Sequence, residues 1–349
     1  MRYLALVLFS VILSSCLSSA PSSAPAPSRQ AEFAPTAATE AQSAVDPETV
    51  EPSPTLAPAI EPTATDPVEA EAEPVEPTAT PSPVSSAQVA TAADWPMFRL
   101  NLGHTGARGP ALAGEPALKW RFDTGGTVES SPALVEGTVY VGTFNLNLFA
   151  LDAASGAERW RFPVGGLLRA SPSVVAGTVY FGADDNRFYA VAAQTGREKW
   201  SFPLGPGSEQ SSPAVVDGFV YFGAFDRNVY ALDAETGAEL WRFQTGDGRL
   251  SSPAVYGGQV FIGSIDGVLY ALDAQTGQER WRFSTAAPVF SSPAVADGLV
   301  YIGSDDGFVY AVDAADGSQG WRFATGRPVF SSPALADGRV YVGSNDGFA

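Results

Sequence analysis

The sequence predicts an all-β protein, a β-propeller of four-stranded antiparallel blades. Three observations point there. Six tryptophans, Trp120, Trp160, Trp200, Trp241, Trp281 and Trp321, are separated by 40, 40, 41, 40 and 40 residues. A period of that length marks stacked or radial repeats, not a single-core domain. Each period holds four short runs rich in β-branched and aromatic residues, broken by turn pairs, which read as strands. No helical periodicity follows residue 94.

The copy from Ser291 to Phe330 shows the elements most clearly. Its first strand is Ser292-Pro293-Ala294-Val295, and Asp297-Gly298 turns it into the second, Val300 to Gly303. Asp306-Gly307, a strong hairpin signal, leads into the third strand, Phe308 to Val312. Asp313 to Gly317 then turns the chain into the fourth, Trp321-Arg322-Phe323. Small Ser and Ala residues suit a first strand at the crowded axis. Proline is tolerated there because one edge faces the channel, and it recurs as Pro132, Pro172, Pro213, Pro253, Pro293 and Pro333.

Five copies are complete, over about 130–330. Before them Ala117 to Thr124 reads as an isolated fourth strand. After them Ser331 to Ser344 supplies a first and second strand, and the third is missing. The preferred reading is a six-bladed ring in which the N-terminal strand joins the last two in one composite blade. The alternative is a fragment of a seven- or eight-bladed ring.

Ahead of the repeats, residues 1–16 place Arg2 before an apolar run and then small residues, the pattern of a secretory signal. Leu13-Ser14-Ser15-Cys16 resembles the bacterial lipobox, which implies a mature N-terminus at an acylated Cys16 and a membrane anchor. The other reading is an ordinary signal with an incidental cysteine. Residues 17–93 are nearly all Pro, Ala, Ser, Thr, Glu and Val, with 14 prolines among 77 residues. Such a stretch lacks the apolar surface to offset ordering entropy, so a disordered stalk is expected. Residues 94–349 form the propeller. The formal charge of −18 argues against nucleic acid as a partner, because like charges repel. Cys16 is the only cysteine and His104 the only histidine, which leaves no disulfide framework or Cys/His zinc cluster.

The third-to-fourth-strand turn resembles the docking motif of the PQQ-like β-propeller repeat family, Ala-x-Asp-x-x-Thr-Gly-x-x-x-Trp. The match is full at Ala231, Asp233, Thr236, Gly237, Trp241 and at Ala271, Asp273, Thr276, Gly277, Trp281. Asp152, Gly156 and Trp160 match with Ser155 for Thr. Gly196 and Trp200 match with Ala192 for Asp, and Asp313, Gly317 and Trp321 with Asp316 for Thr. The resemblance implies that each Trp packs between blades while the Asp and Thr fix the turn. The segment Trp95 to Gly106 resembles the lead-in found ahead of such propellers. Among family members, the combination with a lipoprotein signal resembles the BamB-like lipoproteins, which implies an envelope scaffold related to outer-membrane protein assembly. The long acidic stalk departs from that type.

Antiparallel topology sorts the turns onto two faces. Turns between first and second and between third and fourth strands share one face and vary little from copy to copy. The opposite face varies, and it collects Phe144, Arg169, Arg187, Phe225, Arg227, Phe290 and Phe330. Mixed arginines and aromatics are the usual anchors of a protein interface, so this is the candidate partner face. Drift on an unused face is the competing explanation.

Quinoprotein dehydrogenases share the repeat and bind pyrroloquinoline quinone (PQQ) over calcium. The resemblance implies that such sites use a vicinal disulfide, a Trp under the quinone and acidic calcium ligands. The propeller has no cysteine, and its periodic tryptophans all fall at docking positions, so no cofactor and no catalytic residue are expected. Asp184-Asp185 and Asp305-Asp306 read as hairpin residues, since they lack calcium-loop spacing. Neither a nucleophile elbow nor a phosphate loop is present. The expectation is therefore a non-catalytic, membrane-anchored lipoprotein, exported to the periplasm or cell exterior, whose propeller binds envelope proteins. The alternative is a PQQ-dependent dehydrogenase or small-ligand sensor using the funnel.

Overall fold

The computed structural model describes residues 94–106, 117–206 and 211–349. The signal peptide, Cys16 and the stalk lie outside them.

All regular structure in the described residues is β, and it follows the forty-residue period. Blade 1 runs β1 (Ala133–Val135), β2 (Thr138–Gly142), β3 (Asn147–Asp152) and β4 (Glu158–Pro163). Blade 2 runs β5 (Ser173–Val175), β6 (Thr178–Ala183), β7 (Arg187–Ala192) and β8 (Glu198–Pro203). Blade 3 runs β9 (Ala214–Val216), β10 (Phe219–Ala224), β11 (Asn228–Asp233) and β12 (Glu239–Gln244). Blade 4 runs β13 (Ala254–Tyr256), β14 (Gln259–Gly263), β15 (Val268–Asp273) and β16 (Glu279–Ser284). Blade 5 runs β17 (Ala294–Ala296), β18 (Leu299–Gly303), β19 (Phe308–Asp313) and β20 (Gln319–Ala324). Each is a four-stranded antiparallel sheet in sequence order, as the turn pairs predict. A sixth sheet holds only β21 (Ala334–Ala336) and β22 (Arg339–Tyr341).

The expected composite blade is therefore not formed by hydrogen bonding. Ala117 to Thr124 lies outside the named strands, and β22 pairs only with β21. The segment nonetheless occupies a fourth strand's seat against blade 1. Trp120 Nε1 donates to the Ala153 carbonyl at 3.0 Å, and Phe122 packs edge-on to Phe149 at 5.3 Å. Without a third strand beside it, its main chain has no ladder to join.

Second and third strands of the five complete blades are mostly buried on both faces, while fourth strands mix exposed with buried or partly buried residues in blades 1 to 4 and are exposed throughout in blade 5. The core thus lies between blades. One apolar cluster joins Tyr180 and Phe188 of blade 2 to Phe222, Tyr230 and Leu232 of blade 3, with Phe188 stacked on Phe222 at 4.1 Å. Burying one such ring contributes about 1.5–3 kcal/mol. Every complete blade carries a register shift in its third strand, at Ala150/Leu151 in blade 1, and this bulge strengthens local twist where the Trp leaves for the next blade.

Docking repeats without change. Trp160, Trp200, Trp241 and Trp281 donate Nε1 to the carbonyls of Ala193, Ala234, Ala274 and Ala314 at 2.9–3.1 Å. Each ring lies on the following blade's turn glycine. At Gly277 a Cβ would stand 2.6 Å from the Trp241 ring, and φ is +70°, so only glycine fits. Asp233 and Asp273 accept from the amides two and three residues on and from the hydroxyls of Thr236 and Thr276, which fixes the turn.

The Ser-Ser-Pro-Ala words build the axis. The amides of Ser131, Ser171, Ser212, Ser252 and Ser292 donate to the hydroxyls of Ser171, Ser212, Ser252, Ser292 and Ser332 at 2.9–3.2 Å. A serine belt thereby ties each blade to the next. The preceding serines, Ser211, Ser251, Ser291 and Ser331, accept instead from a glycine at or just past the end of their own blade's second strand, at 2.7–3.0 Å.

Candidate functional site

The lead-in occupies the axis. The central residues of the inner strands turn their amides away from the second strands, and carbonyls of the lead-in accept them. Trp95 pairs with Leu134, and Pro96 accepts from Val174. Leu102 accepts from Val255, Gly103 from Val295 and Thr105 from Leu335. Arg99 donates from Nη1 to the Ser332 carbonyl at 2.7 Å, from Nη2 to that of Pro333, and from Nε to that of His104 at 3.0 Å. Its half-buried guanidinium is lowered to about 10 by desolvation.

His104 is fully buried. Its Nδ1 lies 3.1 Å from the Pro293 carbonyl, which can only accept, so Nδ1 carries the proton. Phe98 packs edge-on to the ring at 5.4 Å. Burial first, and then the charge of Arg99, lower its pKa to about 3, against the opposing pull of the Pro293 bond. The histidine is neutral and structural, as a lone histidine without partners suggests.

The variable face presents two clusters. On the first, Arg169 lies over the Phe144 ring at 4.8 Å and forms ion pairs with Asp184 at 3.0 Å and Glu129 at 3.5 Å. On the second, Arg249 lies 5.3 Å from the Phe225 ring and 5.9 Å from that of Phe290. Phe290 meets Phe330 at 5.4 Å, and Phe330 is 46% exposed. Five of the seven sequence-selected face residues thus fall into two arginine–aromatic groups. Arg187 does not join them: it donates to the Ser201 hydroxyl at 2.7 Å. Arg227 is exposed at the tip of its turn with φ +71°. Arg249 escaped the sequence reading because it sits one residue before the position compared between copies. Its i+1 neighbour, buried Leu250, occupied that position.

The same turns show local strain. Blades 4 and 5 and the last sheet have Gly267, Gly307 and Gly347 in the left-handed region, whereas blades 1, 2 and 3 place Leu146, Asn186 and Arg227 there, with φ of 64–71°. For Leu and Arg that backbone costs about 1–2 kcal/mol relative to the right-handed form.

The aspartate pairs act as local clasps. Asp185 and Asp306 each accept a tyrosine hydroxyl, Tyr189 and Tyr310, at 2.7 Å, and the amide of Gly165 or Ala286 from the preceding connection at 2.8–3.0 Å. Asp305 holds the place that Asp184 holds in blade 2. Phe290 stands where Arg169 would pair with it, so one Asp305 oxygen is buried without a partner. Burial and then Asp306 raise its pKa. A cavity of about 230 Å³ lies between blades 3 and 4 on the opposite face, lined by Leu102, Val216, Phe219 and Tyr256 among others. Its one carboxylate is Asp217, whose charge adds to burial in raising the pKa of Tyr221 in the same lining.

Blades, docking tryptophans and an occupied axis define a propeller of PQQ-like repeats. Residues 115–226 and 225–348 match the family model described as outer membrane protein assembly factor BamB, and the chain belongs to that family. Solved structures agree on the fold. BamB from Moraxella catarrhalis is 23% identical with a TM-score of 0.56, over 66% of this chain and 70% of that one. Two quinohemoprotein alcohol dehydrogenases also superpose. The enzyme ADHIIG from Pseudomonas putida HK5 is 21% identical with a TM-score of 0.59, over 67% of this chain. The enzyme from Comamonas testosteroni is 19% identical with a TM-score of 0.59, over 72% of this chain. The chain spans about half the length of these two enzymes, 48% and 52%. No curated protein matches the chain.

Proposed function

We propose that this protein is a non-catalytic scaffold of the bacterial cell envelope, lipid-anchored through Cys16, whose propeller binds a protein partner through its variable face. The observation that carries the reading is the cluster of Arg249, Phe225, Phe290 and Phe330, an exposed cation over two half-buried rings with the exposed Phe330 beside them. Such clusters concentrate binding energy in few residues. Membership in the BamB family supports an envelope setting and a role related to outer-membrane protein assembly.

The test is in-cell crosslinking of the wild type and of Phe290→Arg combined with Phe330→Ser. Phe290→Arg restores the residue that blade 2 uses against Asp184, so the fold should survive. Partner recovery should fall roughly tenfold or more; unchanged recovery would sink the face assignment. For the anchor, Cys16→Ala should release the protein into soluble fractions, and continued membrane retention would refute lipidation.

The dehydrogenase or ligand-sensor reading draws on the fold of the two enzymes. Against it, the lead-in fills the axis beside five of the six inner strands. Addition of PQQ with calcium should leave the melting temperature unchanged; a saturable upward shift would reverse the preference.

A further inference from the structure

Between blades 3 and 4 the repeat departs from its pattern at four places together. The first residue of the second strand is Thr138 in blade 1 and Thr178 in blade 2. Each hydroxyl accepts from a basic side chain of the fourth strand, Arg159 at 2.6 Å and Lys199 at 2.5 Å. Blade 4 has Gln259 there, whose amide donates to the Ala314 carbonyl of blade 5 at 2.8 Å. Blade 3 instead has Phe219, and exposed Leu240 stands in the basic residue's place. Across the junction, Tyr256 replaces the valine of blades 1 to 3, and Gly257 replaces a residue that has a side chain in every other copy. A Cβ at Gly257 would meet nothing within 4 Å.

Phe219, Tyr256 and Gly257 line the cavity of about 230 Å³ between the two blades, with Leu102 of the lead-in beside them. The Phe219 ring lies parallel to that of Tyr221, 2° between planes and 5.7 Å between centroids, and exposed Tyr256 adds a third ring. Charge differs here as well. In blade 1 burial raises the pKa of the Tyr140 hydroxyl, Thr138 and Arg159 oppose the rise, and Glu136 adds to it. At the same place in blade 3 burial raises Tyr221, Asp217 and then Asp273 add to the rise, and no cation opposes it. Asp273 is paired with Arg280 at 2.5 Å, whereas no basic side chain stands beside Asp217 in the cavity lining. A carboxylate without a counter-charge, set among aromatic rings, attracts a cation with an apolar body.

We propose that this cavity binds a small organic ammonium ion, whose charged group plays the part that Arg159 and Lys199 play in blades 1 and 2. The volume lies below the roughly 300–1,000 Å³ of ordinary ligand pockets, which limits the ligand to about one ring or a short chain beside its charge. The cavity opens on the face opposite the arginine–aromatic clusters, so the inference does not rest on the variable-face reading.

The test titrates the full chain with benzylammonium, benzyl alcohol and benzoate at constant ionic strength, followed by ligand-observed NMR. Benzylammonium should saturate, with a dissociation constant roughly tenfold or more below those of its neutral and anionic isosteres. Asp217→Asn should weaken the cation about fivefold and leave benzyl alcohol unchanged. Asparagine tolerates the left-handed backbone of that turn, where φ is +50°, so this variant keeps the fold. Phe219→Thr combined with Leu240→Lys installs the pair that blade 2 already carries. That variant should stay folded, and its own ammonium should abolish binding of the probe. Absence of saturation, benzyl alcohol binding as tightly as benzylammonium, or undiminished binding by either variant overturns the proposal.

Discussion

Single residues in this protein take their meaning from their position in the repeat. Trp241 and Trp321 occupy the same place in the motif, yet one is buried under the next blade and the other is not. Trp241→Ala should cost about 3–5 kcal/mol in a denaturant melt, and Trp321→Ala less than about 1 kcal/mol. His104 gives the molecule an acid sensitivity of its own. Its folded pKa, about 3, lies below the ordinary 6.5, so the unfolded chain binds the proton first. The stabilisation is full above pH 6.5 and falls as pH drops toward 3, by about 1.4 kcal/mol per unit. Between pH 7 and 5 the wild type should lose about 2 kcal/mol through this group, and His104→Gln should remove that share of the slope. The Asp273 carboxyl, held near 2 chiefly by Arg280, loses its contribution only below the ordinary carboxylate range and does not enter this window. Arg227 makes the opposite point. Glycine fills its position in blades 4 and 5, so Arg227→Gly should raise stability by about 0.5–1 kcal/mol. If the arginine serves the partner face, the same change should weaken partner recovery.

At the scale of the element, the first strands hold the blades together through the serine belt. Ser252→Ala removes the acceptor of the Ser212 amide in a buried setting, and an unmade bond there costs about 1–3 kcal/mol. A lower denaturation midpoint with unchanged slope would match that expectation. Much of this scale was legible from residues alone. The turn pairs gave the strands, and Pro293 marked an inner edge. What was not legible was the work of each serine, because a hydroxyl's partner forty residues away leaves no trace in local pattern. That no ladder joins the two parts of the composite blade was hidden for a similar reason. Ala117 to Thr124 carries the side chains of a fourth strand and takes its seat through Trp120 and Phe122. Pairing, however, requires a main-chain neighbour that side-chain pattern does not reveal. The arginine–aromatic grouping was half legible: variation between copies found Phe290 and Phe330, and only the fold brought Arg249 between the rings.

At the largest scale, the blades form a series of like interfaces around inner strands that the lead-in joins. The contacts of that segment join residues far apart in sequence, with Arg99 and Ser332 separated by 233 positions. This gives the lead-in a place in time as well as in space. Its five carbonyls have nothing to accept until inner strands out to Leu335 exist and stand side by side. The first part of the propeller to be synthesised is therefore the last that can be placed, and closing so long a loop is slow. Contacts made after the folding barrier act on escape, not on entry. Arg99→Ala should then speed unfolding in a stopped-flow chevron while leaving the refolding limb nearly unmoved. A wedge driven last among the inner strands sets how long the blades hold together.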